Sequence, residues 1–200
     1  PYRDFQAWAN TLTMLSELNA KTLAAGHTRP VFGAQNVHEV LTTTRDAIVH
    51  VMQFTADGLD KGLSLDDICS TLSLPDAIAN KPWLKEFYGK ASWSARAFAV
   101  GTLGWYDGNP THLGTLSSST RAAHMAQLAG GVDKLLHKAE QTGDMQWRLE
   151  ICDHLLVLNE PVEEFKAQTL EALAEVEINA TARNTYFSAA QQLRQIANSR

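Results

Sequence analysis

Cysteine is nearly absent from this 200-residue chain, and the two that occur, Cys69 and Cys152, stand far apart. That excludes a disulfide framework and leaves two buried thiols as the simplest reading. Metal-binding spacings are missing too. None of the seven histidines forms His-x-His or His-x-x-x-His, and no Cys-x-x-Cys occurs. A structural zinc takes about four protein ligands and a catalytic zinc about three plus water, so this sequence by itself encodes no complete zinc site. Basic charge is also scarce: 17 Lys and Arg face 22 Asp and Glu, a net charge of −5. Without a cluster of cations interleaved with aromatics, a nucleic-acid surface is excluded. No apolar run reaches the roughly 18 residues of a membrane span, and the first residues do not form a basic-then-apolar signal peptide. The composition, 44% hydrophobic and 20% charged, is that of a folded chain with a sizeable core, in one large or two small domains.

What is present is helical periodicity. Phe5, Trp8, Leu12 and Leu15 fall on one face behind an Asp4 cap and predict an amphipathic first helix lying on a sheet. Thr22 to Ala25 reads as a short strand, and no strand is expected from Asn36 onward. Val37, Val40, Leu41, Ile48, Val51 and Met52 predict one long helix that ends near Gly58 and Gly62. Ser64, with Asp67 three residues on, caps a short helix closed by Pro75. Ala91, Ala95, Phe98, Thr102 and Trp105 line a further helix whose small residues admit a close neighbour. Ala122, Met125 and Ala129 form a stripe stopped by Gly130-Gly131, and Val132, Leu135, Leu136 and Ala139 begin the next. Trp147, Ile151, Leu155 and Leu158 follow a Gly143-Asp144 start; Val162, Phe165, Thr169, Leu173 and Val176 follow Pro161; Tyr186, Leu193 and Ile196 complete the set. The spacing is tetratricopeptide-like but has no recurring period of about 34 residues, so it predicts an array of helical hairpins and not a true repeat protein.

One octapeptide carries chemistry. In GHTRPVFG, Gly26 to Gly33, a histidine sits between a glycine and a Pro-Gly turn, which suits presentation of an imidazole to a metal. The alternative is a turn histidine bonded to local backbone. The remaining histidines, at 38, 50, 112, 124, 137 and 154, are scattered and read as solvated or locally bonded. In WYDGNP, Asp107-Gly108 and Asn109-Pro110 are strong turn dipeptides. The favoured reading is structural, with Trp105 and Tyr106 anchoring the turn in the core; the other is a loop facing an active site.

LGWYDGNP (Leu103 to Pro110), the PWLKEFYG before it (Pro82 to Gly89), the LAGGVDKLL after it (Leu128 to Leu136) and the ARNTYF of Ala182 to Phe187 form an ordered set. In this combination the chain resembles the C-terminal half of the metallo-β-lactamase-type alkylsulfatases, enzymes that hydrolyse alkyl sulfate esters such as dodecyl sulfate. The resemblance implies a mainly α fold: residues 1–35 as the C-terminal tail of a metallo-β-lactamase-like catalytic domain, a short α/β remnant, and residues 36–200 as an all-helical alkyl sulfatase dimerisation domain with tetratricopeptide-like helix pairs. It implies a sulfuric ester hydrolase with two zinc ions per complete subunit. His27 would be one ligand, completed by an upstream His-x-His-x-Asp-His motif and acidic residues, and the zinc pair would activate water.

Arg3 would bind the sulfate by two parallel hydrogen bonds; read from the residues alone, it is a surface arginine. No catalytic residue is assigned within the chain, which is expected to be inactive alone. The implied partners are a second copy in a homodimer, the upstream catalytic domain and the ester substrate. The implied source is bacterial, with a periplasmic, secreted or cytoplasmic location each compatible with the sequence. Trp93 stands where the family commonly has a histidine, and Ala99 and Thr102 where it has tyrosines, changes that bear on the ester bound. The competing reading is a standalone helical protein-interaction module without enzymatic activity, in which the GHTRP turn is a remnant.

Overall fold

Five α-helix starts in this chain are set by short polar side chains that accept from otherwise orphaned amides. Asp4, Ser64, Ser117, Asp144 and Asn179 each accept from the amide three residues on, at 2.8 to 3.1 Å. The computed structural model describes residues 4–199 and divides into two compact units, one up to Asn109 and one from Pro110.

In the first unit, α1 (Phe5–Glu17), a hairpin of β1 (Thr22–Leu23) and β2 (Val31–Phe32), α3 (Leu65–Thr71), α4 (Asp76–Ala79) and α5 (Ala91–Leu103) gather around the long α2 (Ala34–Asp60). The strands pair antiparallel, Thr22 with Phe32 and Leu23 with Val31. The α2 stripe of Val37, Leu41, Ile48 and Val51 is buried, as its spacing predicts. Gly62, at φ +74°, breaks the chain just past its end. Full burial of each such aliphatic side chain contributes about 1.5–3 kcal/mol.

Three local expectations change. The first helix does not lie on a sheet: α1 packs along α2, and its buried face centres on Ala9 and Ser16, leaving Trp8 exposed. A two-residue hairpin is too small to cover a helix face. Pro75 does not close α3, which ends at Thr71; it opens α4, where its fixed φ suits a helix start. The α5 stripe turns by one residue, so that Ala95 and Ala99 are buried while Thr102 and Trp105 face solvent.

In the second unit, α6 (Ser118–Ala129), α7 (Val132–Gln141), α8 (Met145–Val157), α9 (Glu163–Val176) and α10 (Ala180–Asn198) pack as successive neighbours, with α6 also against α8. Gly130 takes the left-handed conformation, φ +93° and ψ +23°, that ends α6. Leu135, Ala139, Ile151, Cys152 and Leu155 form one core cluster, and Leu149, Ala167, Leu170 and Ala190 a second. Helix α8 contributes to both, so it lacks the single apolar stripe of a surface helix. Alanine at the contacts lets α9 and α10 approach closely, and Arg194 on α10 clamps Glu164 and Glu171 of α9. Those hydrogen bonds hold both carboxyls below their usual range. The carboxyls favour the folded state above the ordinary carboxylate pKa, and that contribution is lost as pH falls through their lowered values. The pairs are exposed, so the effect is small. The helical-hairpin, mainly α architecture expected from the sequence is the observed one.

Gly58 provides a test of the packing between α2 and α3. A Cβ built there would lie 2.6 Å from Cγ1 and 2.8 Å from Cδ1 of the fully buried Ile68. Elsewhere in a helix interior, Gly→Ala stabilises by roughly 0.5–1 kcal/mol. Gly58→Ala is expected to have the opposite sign, destabilising by about 1–3 kcal/mol through overpacking. Urea unfolding followed by far-UV circular dichroism reads the difference, and a raised midpoint would show that the two helices separate without strain.

Candidate functional site

His27 sits on the loop of the β1–β2 hairpin, residues 24–30, and is exposed. The sequence builds this loop in three steps. Asn19, a residue type that tolerates positive φ, takes φ +48° and turns the chain out of α1. The strand pair and a Gly33 N–H bond to the Lys21 carbonyl, 2.8 Å, close the hairpin. Gly33, at φ +92°, then leads into α2, and Asn36 Nδ2 donates to the Phe32 carbonyl at 2.9 Å. A strand followed by a histidine-bearing loop is thus observed, with β2 as a second strand that the sequence did not announce. Around Gly26 there is open space.

Among the described residues no three of His, Cys, Asp and Glu come together as a metal site. A lone exposed imidazole fits a metal centre as one ligand of several and does not make one. Arg3 lies outside the described residues. Of the other histidines, His38 Nδ1 lies 3.4 Å from the Ser16 carbonyl, His50 Nε2 2.8 Å from that of Ser73, and His137 Nδ1 3.5 Å from Glu140 Oε2. The first two tie α2 to carbonyls outside it, and only the third is a local contact, along α7.

Among the cavities lined by described residues of the first unit, two are sizeable. One, of about 330 Å³, is walled by Phe5, Trp8, Ile48, Val51 and Trp83 with Lys85 and Lys90 beside them. Trp83 Nε1 donates to Thr43 Oγ1 at 3.1 Å, which fixes that wall. The other, of about 300 Å³, is lined by Asp4, Phe5, Met52, Phe98 and Thr102. The three positions where the sequence departs from its resemblance are scattered: Thr102 borders the second cavity, Ala99 is buried, and Trp93 is exposed with the Lys90 ammonium 5.8 Å from its ring centroid.

The WYDGNP turn holds its shape by its own residues. Gly104 and Gly108 take φ +84° and +88°, and Asp107 Oδ1 accepts from the Asn109 amide at 3.0 Å. Trp105 and Tyr106 do not anchor it in the core. The indole is 74% exposed, and the two rings meet edge to face at 5.8 Å. Nothing in an apolar stripe distinguishes a tryptophan bound for the core from one held on the surface.

Comparison with known proteins places this architecture. Residues 64–196 match the alkyl sulfatase dimerisation family. The chain belongs to that family. Over 96% of its length it is 32% identical to a linear primary-alkylsulfatase from Pseudomonas sp. (strain ATCC 19151), of which it covers 38%. It is 30% identical to an (R)-specific secondary-alkylsulfatase from Pseudomonas sp., of which it covers 30%. The solved structure of the stereoselective inverting sec-alkylsulfatase Pisa1 from Pseudomonas sp. superposes with a TM-score of 0.90 at 28% identity, over 96% of this chain and 32% of that one. The chain therefore spans about a third of the length of these alkylsulfatases. The dimerisation-family match begins at Ser64 and takes in the WYDGNP turn and every helix of the second unit, while His27 and both strands precede it. No helix among the described residues is long and apolar enough to cross a membrane.

The two cysteines are chemically unequal. Cys152 is fully buried on α8, and burial pushes its thiol from 9.0 up to about 11. Cys69 is half-buried, donates to the Ser92 carbonyl at 3.3 Å, and is raised by burial with the Arg96 guanidinium opposing. At about pH 8 roughly one Cys152 in a thousand is thiolate, so iodoacetamide should label Cys69 in the native protein and Cys152 only after denaturation. Mass spectrometry of the two peptides decides it, and equal native labelling would mean that α8 is open to solvent. Because the folded thiol holds its proton above 9.0, native stability is also expected to fall as pH rises from about 9 to about 11.

Proposed function

We propose that this chain is the part of an alkyl sulfate ester hydrolase that carries the dimer interface and lends one metal ligand to a zinc centre completed elsewhere. The observation that supports this most is that alkylsulfatases align over 96% of the chain at 30–32% identity, with the dimerisation-family match running through residues 64–196. Residues 1–35 are read as the end of the catalytic domain and residues 36–200 as the dimerisation domain. His27 is the proposed ligand: its imidazole is exposed on a loop held by the hairpin, so it can approach an ion that other residues hold. Arg3 is the proposed sulfate contact, a guanidinium matching the anion's geometry.

Bound zinc would polarise the ester and activate water; within this chain no residue performs the chemical step, so residues 1–200 alone should not hydrolyse a sulfate ester. The chain's own contribution is placement. The hairpin fixes where His27 stands relative to α2, and a homodimer would fix the catalytic parts in pairs.

The test is His27→Ala in the intact protein that carries this chain. Alkyl sulfatase activity on dodecyl sulfate should fall by at least about 100-fold and bound zinc by about one ion per subunit, with far-UV circular dichroism unchanged, because the loop contributes nothing to the helical core. Full activity with unchanged zinc would make His27 a turn residue. An intact wild-type protein that binds no zinc and hydrolyses no alkyl sulfate would leave the helical interaction module as the reading.

A further inference from the structure

The hairpin that carries His27 is held by very little packing. From Glu17 to Asn36 no residue is buried, and of the strand residues only Leu23 and Val31 are half-buried, so the apolar burial that fixes the neighbouring helices does not reach the loop. A ladder of two residue pairs adds almost no stability by itself. Hydrogen bonds from the start of α2 must therefore fix where the loop stands. Among the described residues one side chain from outside the hairpin makes such a bond: Asn36, in the first turn of α2, donates from Nδ2 to the carbonyl of Phe32, the last residue of β2, at 2.9 Å.

We propose that Asn36 is a positioning residue for the metal centre: it latches β2 to α2 and so fixes where the loop holds His27. This rests on the ligand reading of His27 given above. Gly33, between the two partners, belongs to the same latch. Its φ of +92° turns the chain from β2 into α2, its amide closes on the Lys21 carbonyl at 2.8 Å, and a Cβ there would stand 3.4 Å from Asn36 Nδ2. Both strands are thereby tied to the helix start, the first through the Gly33 amide and the second through the Asn36 side chain. An ion held by several ligands tolerates little displacement of any one, and groups that orient a ligand from outside the coordination sphere change metal affinity by about 10–100-fold. Asn36 acts here through the backbone of β2 and not by contact with the ion. Because residue 36 opens the segment read as the dimerisation domain, the bond makes the placement of a catalytic-domain ligand depend on a helix of its neighbour.

The test is Asn36→Leu in the intact protein that carries this chain, which keeps the branched shape and removes the donor. Beside it stand Asn36→Gln, which keeps the donor, and Gln35→Leu, a control on the neighbouring exposed residue. Zinc affinity is read by competition with a chelator, and hydrogen–deuterium exchange at the Gly33 amide is read in the zinc-free protein. Asn36→Leu is expected to bind zinc about 10-fold more weakly and to exchange about 3- to 10-fold faster at Gly33, the equivalent of one lost hydrogen bond, with the thermal midpoint unchanged. Asn36→Gln should restore most of both, and Gln35→Leu should match wild type. If Asn36→Leu does not fold, Asn36→Asp decides, since an ionised carboxylate cannot donate and suits the start of a helix. Wild-type zinc affinity in Asn36→Leu, with an ion lost in His27→Ala, overturns the latch and leaves the ligand standing, and so does an effect that Gln35→Leu reproduces. Unchanged zinc in His27→Ala overturns the ligand reading and the latch with it.

Discussion

Burial of one face of α2 is the constraint on which the first unit depends. Val37, Leu41, Ile48 and Val51 lie along a single helix, and α1, the hairpin, α3, α4 and α5 all pack against it. Each of these elements is too short or too mixed in character to be stable alone. The hairpin is the clearest case, because two residues per strand supply almost no ladder. Its position, and so the position of His27, is inherited from α2. Where α2 and α3 come closest there is room only for glycine, so the approach of the two helices is determined by a missing side chain at Gly58.

In the second unit α8 has the corresponding place. It is buried on two sides, with Ile151, Cys152 and Leu155 in one cluster and Leu149 in the other. Burial on two sides explains why Cys152 is an inert thiol: the same desolvation that packs α8 raises the thiol pKa. The α9–α10 hairpin, by contrast, is held on its outer side by Arg194 bridging two glutamates. Such exposed pairs set the register of neighbouring helices more than they add stability.

Among the described residues the chain presents packing surfaces more than assembled chemistry. His38 and His50 face backbone carbonyls outside their own helix, His137 faces Glu140, and among the described residues no metal site assembles. What it offers outward is an imidazole on a short hairpin and an aromatic turn on a helix end. Both are presented by backbone that glycine permits: Gly33 beyond the histidine loop, and Gly104 and Gly108 around the tryptophan.

Several features follow from sequence by itself because they are local. The helix caps at Asp4, Ser64 and Asp144, the break at Gly130-Gly131, the long α2 and the strand before His27 depend on residues within one or two turns of each other. The order of the PWLKEFYG, LGWYDGNP and LAGGVDKLL stretches carried the family. Tertiary structure alone decided which faces meet. Apolar spacing says that a helix has a face to bury, but the same stripe serves a chain's own core or a partner's. That is why the α2 and α5 stripes prove to be internal and why α1 turns Trp8 outward. For the same reason Trp105, expected inside, stands in solvent. Its turn is dictated by neighbouring glycines and aspartate, whereas its burial depends on residues far away in sequence.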